Sequence, residues 1–172
     1  MEKVFLLMFA AIMFFSMENR DVQMNLKERA LLNMQYAKNN AIHDAGLQVD
    51  EDRISDMEIV YEQGRAITAF KQSLVRNLNL NSDLTPKFSH FYKKPIEIIH
   101  MDFIDYSGYT NPVTGSPISY PFKSFIYKFK DVSNGIDIER PINGPSIVAI
   151  LKTTIISDDE PTYFVAIEEY KY

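Results

Sequence analysis

The sequence contains no cysteine and no tryptophan among its 172 residues. Without cysteine the chain can form neither a disulfide framework nor a thiolate metal site, and it has no thiol nucleophile. The chain also has no excess of positive charge. Its 23 acidic residues outnumber its 18 lysines and arginines, which gives a formal net charge of -5. The chain therefore lacks the broad positive field that a phosphate backbone requires, and we expect no nucleic-acid partner.

The motifs of common enzyme classes are missing too. The sequence has no glycine-rich phosphate loop, no G-x-S-x-G elbow and no H-E-x-x-H helix. His100 and Asp102 are two residues apart in a predicted strand and hence on one face, where they could orient an imidazole or hold a metal. Two ligands do not make a metal site, and a cross-strand hydrogen bond is the simpler interpretation. We therefore predict that the protein is not an enzyme and has no catalytic residues, cofactor, metal or small-molecule substrate.

One apolar run, from Val4 to Met17, contains no charged residue and follows Lys3. A membrane-spanning helix needs about 20 apolar residues, whereas a run of about 10 to 14 is typical of a signal sequence or a core helix. Because no small-x-small cleavage site follows the run, we prefer a retained anchor to a cleaved signal peptide and to a helix buried in a soluble core. Lys3 favours a single pass of the cell membrane with the N-terminus inside. We divide the chain into an anchor, residues 1–17, and an extracytoplasmic α+β domain, residues 18–172; the anchor residues are Val4, Phe5, Leu6, Leu7, Phe9, Ile12, Phe14 and Phe15.

Helical periodicity continues beyond the apolar run, and no proline or glycine occurs before Gly46. Apolar residues recur at steps of three or four, which predicts one continuous helix from about residue 3 to about residue 45. The apolar stripe narrows to alanines toward the C-terminal end, so whatever packs there approaches the helix backbone closely. The predicted packing residues are Ala30, Ala37, Ala41 and Ala45. A second amphipathic helix is predicted from Arg65 to Leu80.

Segments rich in β-branched and aromatic residues dominate the chain after Pro86, and turn residues separate them. The Asn134-Gly135 step and the turn at residues 157–161 are typical of hairpins, so neighbouring strands should pair antiparallel. We predict an α+β fold in which both helices pack on an antiparallel sheet of four or five strands. An additional short strand is predicted from Met57 to Tyr61. The predicted strands of the sheet are Ile96–Tyr106, Phe122–Val132, Ile136–Glu139, Ser146–Ile156 and Thr162–Tyr170.

Four features match the pattern of one known family in chain order: a short apolar segment that runs straight into a polar helix, and then three further stretches. These stretches are Leu32–Asp50, with alternating polar and alanine positions before an apolar-x-Val-Asp step, Ile67–Leu78, and Asn143–Ile150. Over most of its length the chain resembles the pilin-like proteins encoded with tight-adherence (Tad) secretion and pilus machinery, especially the TadE-like and pseudopilin-like proteins of Gram-positive bacteria. The resemblance implies a pilin-like fold.

The resemblance also implies partners: the membrane, and other pilin-like or secretion-apparatus subunits. Residues 4–17 lack the small residue before the cleavage point and the glutamate that a type IV prepilin carries. The family likeness therefore implies a minor or accessory component of a pilus, secretion or conjugation apparatus, or a free-standing surface protein of the same build.

Three hypotheses about function follow. The first is a non-enzymatic, membrane-tethered structural or assembly protein. The second is a secreted binding module, released by signal cleavage, whose recognition surface is the loop from Tyr106 to Pro121. The third is an extracytoplasmic enzyme centred on His100 and Asp102.

Overall fold

The structure is a computed structural model that describes residues 2–88, 91–119 and 124–170. Helices come first in the chain and strands follow, which confirms the predicted α+β class. The helices are α1 (Glu2–Gly46), α2 (Glu51–Ile54) and α3 (Gln63–Leu78). The strands are β1 (Glu97–Ile104), β2 (Tyr109–Thr110), β3 (Pro117–Ile118), β4 (Phe125–Asp131), β5 (Ile136–Ile142), β6 (Ser146–Thr153) and β7 (Thr162–Glu169).

Helix α1 is continuous over 45 residues, as predicted. At 1.5 Å per residue it is about 68 Å long, which is longer than the diameter of a domain of this size. Its two parts have different surroundings: residues 3–25 are exposed along their whole length, and Ala30 is the first fully buried residue. We call residues 3–25 the exposed half of α1, and the described chain from Ala30 onward the head.

Both long helices lie on one face of a three-stranded antiparallel sheet whose strand order is β1-β6-β7. Strand β6 is the centre of the head, because its first six residues are all buried and its two faces contact different layers. Ile147, Ala149 and Leu151 belong to the core beneath the helices, whereas Val148 and Ile150 belong to a second core on the opposite face. The head thus has three layers: helices, sheet, and β-ribbons.

The prediction of one sheet with four or five strands is not confirmed. Five of the predicted strands exist, but β4 pairs only with β5 in a separate two-stranded ribbon among the described residues. A second ribbon, β2 with β3, lies in the segment that we predicted as a loop from Tyr106 to Pro121. Tyr120 and Pro121 lie outside the described residues, as does Phe122 at the start of one predicted strand. The alternating pattern locates strands but does not determine which strands pair, since pairing depends on contacts between distant segments.

The strand predicted from Met57 to Tyr61 is wrong. Met57 lies in a turn with a φ angle of 61°, and only Tyr61 forms an isolated bridge, with Val49. Helix α2 was missed because it has four residues, too few to show a helical period. The predicted second helix is confirmed as α3, which ends when Asn79 adopts the left-handed conformation at φ 53°.

The point where α1 enters the head is fixed by contacts with distant residues. The hydroxyl of Tyr92 donates a hydrogen bond to the carbonyl oxygen of Ala30 at 2.8 Å. One turn earlier, Lys27 Nζ lies 2.8 Å from Asp158 Oδ2. Because Tyr92 is buried, its hydrogen bond to Ala30 is shielded from water and sets where the head begins along the helix.

Replacing Ala41 with leucine is expected to destabilise the head by about 1 to 3 kcal/mol, because Ala41 is fully buried in the core between α1 and its neighbours and the added atoms must displace them. The matched control is Ala11→Leu, at an exposed position of the same helix, which should change stability by less than about 0.5 kcal/mol. Urea denaturation of both full-length variants in a mild detergent measures the difference. Equal midpoints for Ala41→Leu and the unsubstituted chain would contradict this packing.

Candidate functional site

The exposed half of α1 carries the most unusual surface of the described chain. Large apolar side chains follow one another along it with little cover: Phe5 is 76% exposed, Leu7 70% and Phe15 68%. All eight residues predicted as the anchor are exposed in this way. Full burial of one such side chain is worth about 1.5 to 3 kcal/mol, so an uncovered run of this length is strongly unfavourable in water.

The apolar residues of this run surround the helix on all sides. Adjacent positions of a helix point about 100° apart, so consecutive Leu6 and Leu7, or Phe14 and Phe15, cannot lie on one stripe. A helix that packs on a single partner carries a stripe that is apolar on one side and polar on the other. A helix that is apolar all round instead suits an environment that is apolar in every direction.

The head does not provide that environment. Among the described residues, the side-chain contacts of the exposed half stay within α1: Asn25 donates to the Asp21 carbonyl oxygen at 2.9 Å, and Phe14 packs edge-on against Phe15. The alternative of a helix buried in its own soluble core is therefore wrong. Within the described ranges, no helix offers an apolar stretch long enough to cross a membrane.

The alanine stripe lies at the opposite end of the same helix. Ala30, Ala37, Ala41 and Ala45 are each at most 1% exposed and belong to the core formed with α3, β6 and β7. Their small side chains let α3 and the sheet approach the α1 backbone closely. The head itself therefore covers this stripe.

The second feature with functional chemistry is a carboxylate cluster on the ribbon side of the sheet. Asp102 Oδ2 accepts hydrogen bonds from the hydroxyl of Tyr127 at 2.7 Å and from that of Tyr109 at 3.1 Å. His100 Nε2 lies 2.9 Å from the same oxygen, at an angle that leaves this nitrogen without a well-directed hydrogen bond. The His100 ring stacks on Phe129 with the ring centres 4.7 Å apart.

The strand geometry explains why these groups meet. His100 and Asp102 lie two positions apart on β1, after the register shift between Ile98 and His100. Both face the ribbons, which confirms the prediction that they share one face of the strand. Tyr127 comes from β4 and Tyr109 from β2. The sequence predicted the histidine and aspartate pair, but it carried no signal for the two tyrosines, because their approach depends on how the ribbons dock.

The protonation of the cluster follows from burial and from the shared carboxylate. Burial opposes the charge of Asp102, but its contacts with His100, Tyr127 and Tyr109 outweigh that effect and lower the pKa of the Asp102 carboxyl. Burial and the neighbouring Asp102 carboxylate both raise the pKa of Tyr127 and of Tyr109. Asp102 is therefore ionised and both tyrosines are protonated donors at neutral pH.

This arrangement joins three strands through one carboxylate, and the hydroxyls of Tyr127 and Tyr109 already occupy Asp102 Oδ2. Across the described ranges, no three histidine, aspartate or glutamate side chains come together as a metal site. The cluster thus stabilises the contact between the sheet and the ribbons.

No protein-family model matches the chain, and no curated protein or solved structure is significantly similar to it.

Replacing Asp102 with asparagine is expected to destabilise the head by about 1 to 3 kcal/mol at pH 7, because hydrogen bonds to a buried charged acceptor are stronger than those to a neutral one. The pKa of the folded carboxyl is lower than the ordinary 3.8, so this stabilisation is present above pH 3.8 and is lost as the pH falls through the folded value. The difference in unfolding free energy between the unsubstituted chain and Asp102→Asn should therefore shrink as the pH falls through the folded pKa of Asp102. Denaturation curves recorded from pH 7 to pH 2 measure this difference.

The control for this series is Asp137→Asn, which removes an exposed carboxylate 3.5 Å from Lys130 on the outer ribbon. An exposed ion pair of this kind contributes little to stability, so the control should follow the unsubstituted chain at every pH. A gap for Asp102→Asn that stays constant down to pH 2 would contradict the assigned role of the charge.

Proposed function

We propose that this protein is a membrane-anchored, non-catalytic structural or assembly component whose apolar run, Val4 to Met17 at the start of α1, is embedded in lipid. The observation that carries the proposal is that this run is apolar on every side, is left uncovered by the head, and belongs to a helix that continues without a break into the wall of the core. Lipid is the environment that covers such a helix in every direction at once. The alanines at the other end of α1 hold the head rigidly on this anchor.

The length of the apolar run sets how it sits in a bilayer. Its 14 residues rise by about 21 Å, compared with about 30 Å for the hydrocarbon core. Lys3 and Arg20 are 17 residues apart, or about 26 Å along the axis, and their long side chains can extend outward to the headgroups. Local thinning of the bilayer would close the remaining difference between the length of this helix segment and the thickness of the hydrocarbon core, so that the segment could span it once. The orientation, with the N-terminus inside and the head outside, stays a prediction.

The assembly role rests on the family resemblance and on the composition of the apolar run. Ala10 and Ala11 interrupt the large side chains near its middle, where small residues let a neighbouring helix approach closely within lipid. We propose that other pilin-like or secretion-apparatus subunits, including copies of this chain, pack there. In this proposal the protein is a minor or accessory part of a pilus, secretion or conjugation apparatus.

Replacing both Phe9 and Ile12 with aspartate is expected to release the protein from membranes. A charge near the centre of a membrane helix costs about 2.5 to 3.5 kcal/mol, so the pair costs about 5 to 7 kcal/mol. The unsubstituted chain should stay in the pellet after carbonate extraction, whereas the double variant should appear in the supernatant with a folded head.

The matched control replaces two exposed apolar residues of the head, Met57 and Val132, with aspartate. They are 80% and 82% exposed, so the substitutions change the composition in the same way without touching α1. This control should remain in the pellet. Recovery of the unsubstituted, full-length chain as a soluble monomer would contradict anchoring.

Cysteine cross-linking tests the assembly role, because the chain has no cysteine of its own. Cysteine is placed in separate variants at Ala10, Ala11, Ile12 and Met13, and membranes are oxidised briefly. A specific helix contact between copies should give disulfide dimers at one or two of the four positions, following the helical period, and none for Met57→Cys in the head. Equal cross-linking at all four positions, or none at any, would contradict packing of copies through this run.

A further inference from the structure

Between Arg29 and His43, a fully described part of α1, the outer side of the helix carries no charge. The only charged residue of this sequence segment is Lys38, although charged residues make up 24% of the chain. Lys38 is 7% exposed, and its Nζ donates to the carbonyl oxygen of Val165 on β7 at 2.7 Å, so its charge is directed at the sheet. We call the exposed residues of this segment the uncharged face of α1; they are Leu32, Asn33, Gln35, Tyr36, Asn39 and Asn40.

The uncharged face lies opposite the buried side of the helix. Two positions along a helix turn the side chain by about 200°, so that it points almost the opposite way. Leu32 follows the buried Ala30 by two positions, and Tyr36 follows the buried Met34 by two positions. The core of the head therefore takes one side of α1, and the uncharged face is turned outward.

Leu32 and Tyr36 form the centre of this face. They are four positions apart and thus point within about 40° of each other. Leu32 is 48% exposed and Tyr36 is 67% exposed, which leaves an apolar and an aromatic side chain next to each other in water. The centre of a protein interface is typically depleted of charged residues and enriched in tyrosine. This composition therefore indicates a contact surface rather than a solvated helix face.

The groups around this centre suit a second copy of the chain. Each asparagine or glutamine amide carries donors and an acceptor, so a face of amides can form hydrogen bonds with an identical face. A face of like charges, in contrast, would repel its copy. Two anchors that cross one membrane in the same orientation also place their helices parallel, with identical residues at the same height.

Two charged residues at the edge of the face favour one arrangement of the two copies. Glu28 points about 40° beyond Leu32, and Arg29 points about 20° beyond Tyr36 in the other direction. They therefore flank the line through Leu32 and Tyr36 on opposite sides. When two parallel helices meet along that line about a two-fold axis, Glu28 of each copy faces Arg29 of the other.

We propose that two copies of this protein pair side by side through the uncharged face of α1, with their helices parallel and their heads on opposite sides of the contact. Leu32 and Tyr36 of one copy pack on the same residues of the other, and the surrounding amides form hydrogen bonds across the contact. Two Glu28–Arg29 ion pairs flank it. The inference rests on the proposed function, because it requires both chains to be anchored in one membrane.

The size of the face explains why the anchors are needed. A stable interface takes about 20 to 30 residues from each partner. The uncharged face has only six, so the contact is weak between free molecules. Anchors confine the copies to one surface and fix their orientation, which raises the effective concentration of one face for the other.

Cysteine cross-linking in vesicles that contain the purified full chain tests this pairing. Leu32→Cys and Tyr36→Cys lie at the centre of the face, where identical positions of the two copies should meet within disulfide distance. The matched controls are exposed positions that point elsewhere: Gln23→Cys, about 180° from Leu32 on the same helix, and Gln72→Cys on α3. After brief oxidation we expect disulfide dimers of the first two variants and none of the controls. The dimer yield should persist when the vesicles contain about tenfold more lipid, because a specific contact depends less on dilution than random collisions do.

A charge swap tests the two-fold arrangement. Glu28→Arg places a second positive charge opposite Arg29 in both ion pairs, so it should lower the dimer yield of Tyr36→Cys about fivefold. Adding Arg29→Glu exchanges the two charges and restores both pairs, so the yield should return. Both positions are exposed, and circular dichroism checks that each variant is folded.

Equal dimer yields in the face variants and in the controls would overturn the proposal. The absence of dimers at both Leu32 and Tyr36 would overturn it too, as would a Glu28→Arg variant that cross-links as well as its parent. These results differ from a failure of anchoring, in which the protein would leave the vesicles on carbonate washing before any oxidation. A protein that stays in the vesicles but does not cross-link contradicts the pairing alone.

Discussion

The continuity of α1 is the constraint on which the rest of the structure depends. Its second half is the wall of the core, where Ala30 to Ala45 bring α3 and the sheet close to the helix backbone. Because the helix continues without a break, its first half lies outside the head and leaves its phenylalanines and leucines exposed. The helix that forms one wall of the core thus also carries the uncovered apolar run outside the head.

The sheet connects the helix layer to the ribbons on its opposite face. Strand β6 is buried on both faces, so the helix layer and the ribbon layer share one central strand, and Asp102 joins the ribbons to that sheet through Tyr127 and Tyr109. The chemically distinctive groups are thereby placed at separate points along the molecule. The apolar run is at one end of α1, and the buried alanine stripe is at the other.

Local patterns in the sequence predicted the features that depend on local physics. The spacing of alanines and the absence of proline or glycine before Gly46 predicted α1, and the two-residue step between His100 and Asp102 placed both on one face. Features that depend on contacts between distant segments were not predictable in this way. The division into a sheet and two ribbons, and the approach of Tyr127 and Tyr109 to Asp102, could not be predicted from local patterns in the sequence.

The central claim, that one rigid helix passes from lipid into the head, is tested most directly by spin labels along α1 in lipid vesicles. Labels on cysteines at Phe5, Phe9 and Ile12 lie in the apolar run, and labels at Val22 and Met24 lie between the run and the head. The account predicts that the labels in the apolar run are accessible to oxygen and protected from a water-soluble nickel chelate. The labels at Val22 and Met24 should be accessible to the nickel chelate and less accessible to oxygen. Equal accessibility to the nickel chelate at all five positions would contradict it.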